Sequence, residues 1–208
     1  MGLFLAMSGV AGASLADVED CLRGYATCRD GCLDRVPAKA ESWELLILAE
    51  SVQGNVTVQY PGAFTDWDDA SAYISRCLDV PVFSLHIHDD DLWMYVLFAG
   101  DEAVDQFNPI PDYWDDGISP EEIAIWAGDA ESISKCWPGV KPDAVHDYLV
   151  RWDLDNDDPG KAYPDDRFPF NEAWQLTDFM RRLGLTYPVD DQGKIVGQTY
   201  QLRVAEEA

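Results

Sequence analysis

The stretch "VPVFSLHIHDDDLWMYVLFAGDEAVDQF" (residues 80–107) decides the fold. It contains three apolar runs separated by two short segments of turn-forming residues. Apolar runs of this length between turn signals predict β-strands, and turns this short make neighbouring strands antiparallel. The middle run is apolar on both faces, as in an interior strand that is covered on both sides. We therefore predict a three-strand meander, with strands over 80–88, 92–99 and 103–107 and turns at Asp89-Asp90-Asp91 and Gly100-Asp101.

The residues before the meander predict a strand, a helix and a hairpin. The apolar run 3–10 predicts a buried strand, and Ser14 is a plausible N-cap of the helix that follows. Segments 42–50 and 55–60 are joined by a short interval containing Gly54-Asn55, which predicts an antiparallel hairpin.

A second helix is predicted to begin at a Thr65 cap and to lead into the meander. The first ~110 residues thus have the element order βαββ then αβββ, which is similar to that of ferredoxin-like folds. This order predicts an α+β fold with a mainly antiparallel sheet.

The second part of the chain predicts helices that pack on this sheet. Ser119-Pro120 is a strong helix start, Asn171 is a candidate N-cap, and Gly184 is a helix stop. We expect one compact domain over 1–208, with a subdivision into sheet-rich 1–112 and helix-rich 113–208 as the alternative. The predicted helices span 120–127, 130–136, 142–151 and 171–183, and a final strand lies in the tail 194–204.

The charge balance excludes some partners and favours others. The chain has 39 acidic and 14 basic residues, a formal net charge of −25. Such a field repels nucleic acid and anionic membranes, because binding to either depends on Lys and Arg. From Cys77 to Ser134 there is no Lys or Arg, whereas fourteen residues are Asp or Glu. The balance indicates high solubility, a basic protein partner or the binding of divalent cations.

Cysteine usage and the N-terminus favour a cytoplasmic protein. The five cysteines form no CxxC pair, so free thiols in a reducing compartment are expected, and a disulfide would require an oxidising one. The N-terminus has no basic region before its short apolar run, which argues against a signal peptide.

The segment "DQFNPIPDYWDDG" (105–117) is the best candidate for a partner-binding site. Its prolines restrict the backbone, and Tyr and Trp are typical interface anchors. The alternative is that its aromatic residues close the edge of the core. The predicted partner-binding residues are Asp89, Asp90, Asp91, Asp105, Asp112, Tyr113, Trp114, Asp115 and Asp116.

His86 and His88 are a candidate metal pair. Alternate residues of a strand point to the same side, so two imidazoles could bind one zinc ion. With Asp90 they match HxHxD, the start of the metallo-β-lactamase-type motif, but that motif continues with His where Asp91 stands here. A binuclear site of that kind cannot be completed. A polar strand face or a pH-dependent contact are the other interpretations.

Asp153, Asp155 and Asp157 match the first three ligand positions of an EF-hand calcium loop. The match then ends, since Pro164 occupies the position of the closing Glu. A weak calcium site and a solvated acidic loop both fit this pattern. No cofactor is expected, and a divalent cation (Ca²⁺ or Zn²⁺) is the alternative. The absence of GxSxG, P-loop and GxGxxG motifs favours a protein that is not an enzyme.

The stretches "FNPIPDYW", "KAYPDDRFPF" and "WQLTDFMRRLGLTYP" resemble a group of bacterial proteins of similar length. The resemblance implies a bacterial, cytoplasmic protein and no specific activity. In size and acidity the chain is also similar to immunity proteins of bacterial toxin systems, some of which use carboxylates against a basic surface. The sequence thus favours an acidic binding protein of immunity or inhibitor type. A metal-binding or metal-dependent protein is the alternative.

Overall fold

The computed structural model describes residues 2–38, 42–51, 53–115 and 117–205. These residues form a mixed α+β structure around one eight-stranded antiparallel sheet. The strands are β1 (Leu5–Val10), β2 (Cys32–Arg35), β3 (Leu46–Glu50), β4 (Val56–Gln59), β5 (Pro81–His88), β6 (Leu92–Ala99), β7 (Glu102–Phe107) and β8 (Gln198–Arg203). Their order across the sheet is β2-β8-β3-β4-β1-β5-β6-β7.

The three-strand meander is confirmed as β5, β6 and β7. In the first turn, Asp89 and Asp90 have φ angles of 52° and 65°, in the left-handed region that Asp tolerates better than most residues. A register shift between Leu97 and Phe98 interrupts the pairing of β6 with β7. Such a bulge increases the local twist, which protects an edge strand from pairing with other chains.

The other predicted strands are confirmed too, and one strand was not predicted. The run 3–10 contains β1, the hairpin consists of β3 and β4, and the tail provides β8. β8 inserts between β3 and β2, so that strands from both ends of the chain are neighbours in the sheet. β2 was not predicted, because its four residues "CLDR" bury only Leu33 and show no alternating pattern.

Two helices, α1 (Leu15–Thr27) and α2 (Trp67–Leu78), cover one face of the sheet. The N-cap of α1 is confirmed, since the Ser14 hydroxyl accepts a hydrogen bond from the Asp17 N–H at 3.2 Å. The prediction that Thr65 caps α2 is wrong. The Ala70 N–H donates to the Asp66 carbonyl at 2.9 Å, which places Asp66 at the N-cap.

The opposite face of the sheet carries a core dominated by aromatic side chains. Tyr95 of β6 stacks on Phe179 with ring centroids 5.5 Å apart, and Trp93 lies 5.0 Å from the same ring. Trp137 is buried as well, and its indole N–H donates to the Leu183 carbonyl at 2.9 Å. Burial of each such side chain contributes roughly 1.5–3 kcal/mol. These contacts hold the later part of the chain on the sheet.

The later part of the chain contains α3 (Pro120–Ile125), α4 (Ala130–Cys136) and α5 (Gln175–Arg182). The predicted helix over 142–151 is wrong. Val145, at φ −130°, separates two single 3₁₀ turns there, Pro142–Ala144 and His146–Tyr148.

The cap predicted at Asn171 is also wrong. Asn171 has a left-handed φ of 64°, and its side-chain amide donates to the Asp153 carbonyl at 2.8 Å. The helix therefore begins later, at Gln175. Its predicted end is confirmed, because Gly184 has a φ of 69° and the Leu185 N–H returns to the Met180 carbonyl. None of the helices within the described ranges is long and apolar enough to cross a bilayer.

Candidate functional site

The Asp89-Asp90-Asp91 turn is held in place from two sides. The Gly2 N–H donates to Asp89 Oδ1 at 2.8 Å, and the Asp90 N–H donates to the Leu3 carbonyl at 3.0 Å. On the other side, the Tyr113 hydroxyl donates to Asp91 Oδ2 at 2.5 Å. This bond to a carboxylate raises the pKa of Tyr113 to about 12. The N-terminal segment and the 108–115 loop thus meet at the tip of the β5–β6 hairpin.

His88 is the centre of a group of aromatic rings at this tip. The ring centroids of Phe4, Trp114 and Tyr113 lie 4.8, 5.0 and 5.7 Å from that of His88, all edge to face. Phe4 is 46% exposed and Trp114 is 56% exposed, which is high for side chains of this size. Two large apolar side chains therefore face solvent beside the three aspartates.

His86 lies beneath this group and is buried. Its ring centroid lies 4.5 Å from that of Trp67, at the start of α2, and 5.7 Å from that of His88. Burial, with a smaller effect of His88, lowers the pKa of His86 to about 4. The imidazole is therefore neutral near pH 7.

The structure does not bring all of the predicted partner-binding residues together. Asp112 forms an ion pair with Arg151 at 2.5 Å, so its charge is neutralised. Asp115 is exposed beside Trp114. Asp116 lies outside the described residues.

Asp105 lies apart from the hairpin tip. Its Oδ2 accepts hydrogen bonds from the Tyr95 hydroxyl at 2.6 Å and from the Asp129 N–H at 3.2 Å. Burial raises the pKa of its carboxyl above the ordinary value. These contacts connect β7 to the start of α4, which gives Asp105 a structural role.

We refer to the remaining set as the docking surface. It consists of Phe4, His88, Asp89, Asp90, Asp91, Tyr113, Trp114 and Asp115. Between residues 77 and 134, the described ion pairs reach only Asp101, which Arg76 contacts, and Asp112. The carboxylates of the docking surface therefore have no cationic partner among the described residues.

Sequence reasoning missed two members of this region. Phe4 lies within a run interpreted as a buried strand, but β1 begins one residue later, and Phe4 itself is exposed. Trp67 follows the expected cap of α2 and belongs to no motif. Only the fold brings these two rings to the end of β5, so no local signal in the sequence indicates them.

The candidate metal ligands form no cluster. Asp153 Oδ1 accepts a hydrogen bond from the Asp155 N–H at 3.2 Å, and both residues and Asp157 are exposed. Within the described ranges, no three or more His, Cys, Asp or Glu side chains lie close enough to hold a metal ion. Metal binding at 153–157 or at His86 and His88 stays a prediction.

No family model matches the chain, and the comparisons with curated proteins and with solved structures found no match.

Proposed function

We propose that this chain is a non-enzymatic acidic binding protein, an immunity or inhibitor-type module, that binds a basic protein partner through the docking surface. The proposal rests above all on one observation: two exposed aromatic side chains, Phe4 and Trp114, lie among carboxylates that have no cationic partner within the described ranges. Basic proteins present Lys and Arg, which are attracted both to carboxylates and to aromatic faces.

The arrangement has the composition of an interface. Aromatic side chains act as anchors at the centre of many protein interfaces, and charged groups at the rim steer association. Here Trp114 is the anchor, while Asp89, Asp90 and Asp115 form the charged rim. A partner that covers Trp114 also approaches all three carboxylates.

The surface is held in shape before any partner arrives. The Tyr113 N–H donates to the Ile110 carbonyl at 3.0 Å, and the Ile110 N–H donates to Asn108 Oδ1 at 2.8 Å. The Trp152 N–H donates to the Pro109 carbonyl at 3.0 Å. A preorganised loop loses little conformational entropy on binding, which favours affinity.

We also propose that the scaffold of this surface is a ferredoxin-like unit, on which the later residues form a helical second layer. The neighbouring strands β3-β4-β1-β5 and the helices α1 and α2 on one face support this interpretation. β6 and β7 extend the unit, and the docking surface lies at the β5–β6 turn and in the loop that follows β7. We expect this module in the cytoplasm of a bacterium.

The docking surface can be tested against a matched acidic loop of the same chain. One triple variant changes Asp89, Asp90 and Asp115 to Asn, and the control changes Asp153, Asp155 and Asp157 to Asn. Both remove three negative charges, and Asn tolerates the left-handed φ of Asp89 and Asp90. Each protein is titrated with a fluorescent arginine-rich peptide and with the proteins that wild type retains from a bacterial lysate, at about 50 and 300 mM salt.

We expect the docking variant to bind at least about tenfold more weakly than the control. Wild-type binding should also weaken steeply with salt, because the charges are exposed. Equal losses in the two triple variants would show that only net charge matters. Binding that does not depend on salt would contradict the proposal.

A further inference from the structure

The contacts between α1 and α2 fix the relative direction of the two helices. Near the end of α1, the Tyr25 hydroxyl lies 3.2 Å from the Asp69 carboxylate, which also pairs with Arg29. Gly24 faces Tyr73, and a β-carbon at Gly24 would lie 2.9 Å from the Tyr73 hydroxyl oxygen. Earlier positions of α1 therefore face later positions of α2, as in antiparallel helices.

One helical turn farther along the contact between α1 and α2, Cys21 of α1 lies opposite Cys77 of α2. Cys21 precedes Gly24 by one helical turn, and Cys77 follows Tyr73 by one turn. The four residues line one open groove of about 260 Å³ between the helices. Burial and the adjacent Cys77 thiol raise the pKa of the Cys21 thiol. Both cysteines are free, and both line this groove.

We propose that Cys21 and Cys77 are a redox-modification site, which hydrogen peroxide converts into a reversible disulfide between α1 and α2. Both side chains line the same groove between the two helices, so the bond would join α1 to α2 directly. The site lies apart from the docking surface and does not depend on the function proposed for it.

The exposure of the two thiols sets the order of the chemistry. Cys77 is exposed and reacts first: its thiol takes one oxygen atom from the peroxide, giving a sulfenic acid and one water. The Cys21 sulfur, which is buried, then attacks the Cys77 sulfur. The S–O bond breaks, and the hydroxyl group leaves with the Cys21 thiol proton as a second water. Two thiols and one peroxide thus give one disulfide and two waters, and a dithiol reductant reverses the reaction.

The other three cysteines lie away from this pair. Cys28 caps the far end of α1, two helical turns from Cys21. Cys32 begins β2, where its sulfur contacts Asp34 Oδ2 at 3.4 Å. Cys136 ends α4, whose buried residues belong to the core on the opposite face of the sheet.

Peptide mapping of the full chain tests the pairing directly. Wild type, Cys77→Ser and the control Cys28→Ser are treated with hydrogen peroxide or with dithiothreitol, and their free thiols are counted. Because Cys77 and Cys28 are both exposed, neither variant should disturb the core. Trypsin places the five cysteines in five different peptides, since it cleaves after Arg23, Arg29, Arg35, Arg76 and Lys135.

Oxidised wild type and Cys28→Ser should each lose two thiols and yield one linked pair, the peptide ending at Arg23 and the peptide beginning at Cys77. Both should remain single chains, and their Tm should rise by about 4 °C or more until dithiothreitol is added. Cys77→Ser should yield no such pair and no rise in Tm. A bond from Cys77 to Cys28, a bond between chains, or oxidation of Cys77 to a sulfinic acid alone would each overturn the proposal.

Discussion

Two acidic regions of this molecule use their carboxylates in opposite ways. The first region is the loop that precedes α5 together with the arginines of α5. In it, Asp166 is buried and accepts hydrogen bonds from the Tyr148 hydroxyl at 2.7 Å and the Tyr163 N–H at 2.9 Å. Arg181 and Arg182 also reach it, at 3.0 and 3.1 Å. At the docking surface, no described ion pair reaches Asp89, Asp90, Asp91 or Asp115. The first region is internally neutralised, whereas the carboxylates of the second have no cationic partner among the described residues.

This difference shows that acidity alone does not identify a binding site in such a chain. The stretch "RWDLDNDDPGKAYPDDR" (151–167) contains six aspartates, and these aspartates have two different environments. Asp165 and Asp166 stabilise the fold through arginines of α5, and Asp153, Asp155 and Asp157 lie in exposed turns. Arginine pairing therefore distinguishes Asp165 and Asp166 from the exposed aspartates of the same stretch.

The largest expected effect comes from disrupting the arginine-paired region. Asp166→Ala removes the acceptor of four hydrogen bonds and leaves two guanidinium groups without this partner. We expect the free energy of unfolding to fall by about 2–4 kcal/mol, measured by urea denaturation. Asp157→Ala, in the exposed loop, should change it by less than about 0.5 kcal/mol. Similar losses in both variants would remove the distinction between the two regions.

The next largest effect is a pH dependence of stability caused by His86, which lies beneath the docking surface. The pKa of His86 is lowered from its ordinary value of 6.5 to about 4, mainly by burial. The unfolded chain therefore binds a proton below pH 6.5 that the folded chain does not bind until about pH 4. The resulting stability is present above pH 6.5 and is lost as the pH falls toward 4, by roughly 2–4 kcal/mol.

His86→Phe should remove this contribution, because phenylalanine keeps a ring against Trp67 but binds no proton. Urea denaturation at several pH values should show the variant gaining on wild type as the pH falls from 7 to 4. The control, His146→Gln, changes an exposed histidine and should follow wild type. Parallel curves for wild type and His86→Phe would contradict the burial of this imidazole.

The smallest effect concerns the 153–157 loop. Replacement of Asp153, Asp155 and Asp157 by Asn should change Tm by less than about 1 °C, because their side chains are exposed and Asn keeps the turn hydrogen bonds. Adding calcium should shift the Tm of neither protein by more than this. Bound calcium in elemental analysis, together with a calcium-dependent rise in the Tm of wild type but not of the variant, would instead establish the alternative metal site. The same measurement with zinc tests His86 and His88.

The sequence predicts structural features that depend on residues close together in the chain. It does not predict those that depend on contacts between residues far apart in the chain. The Ser14 cap, the meander and the end of α5 at Gly184 follow from local patterns of turn formers and apolar residues. The 142–151 segment has a helical pattern, but it forms only two 3₁₀ turns. Tyr148 within it is buried against Asp166, a contact that local propensity does not encode.

The candidate site shows the same limit. Local sequence patterns are enough to identify Asp89 to Asp91 as turn formers, and Tyr113 and Trp114 as aromatic residues of a proline-containing loop. The separation of Asp105 from this group depends on the Tyr95 hydroxyl across the sheet and on the start of α4. Strand alternation alone does not reveal which carboxylate finds such a partner.

The position of β8 constrains the order in which the molecule is assembled. β2 and β3 are synthesised early, yet β8 separates them in the sheet, and β8 is the only described partner of β2. On the ribosome, the meander can pair as soon as it emerges, whereas the exposed edge of β3 stays open until residues 198–203 appear. An open edge invites pairing with other chains. During synthesis, protection of this edge therefore depends on β8, which emerges after the other described strands.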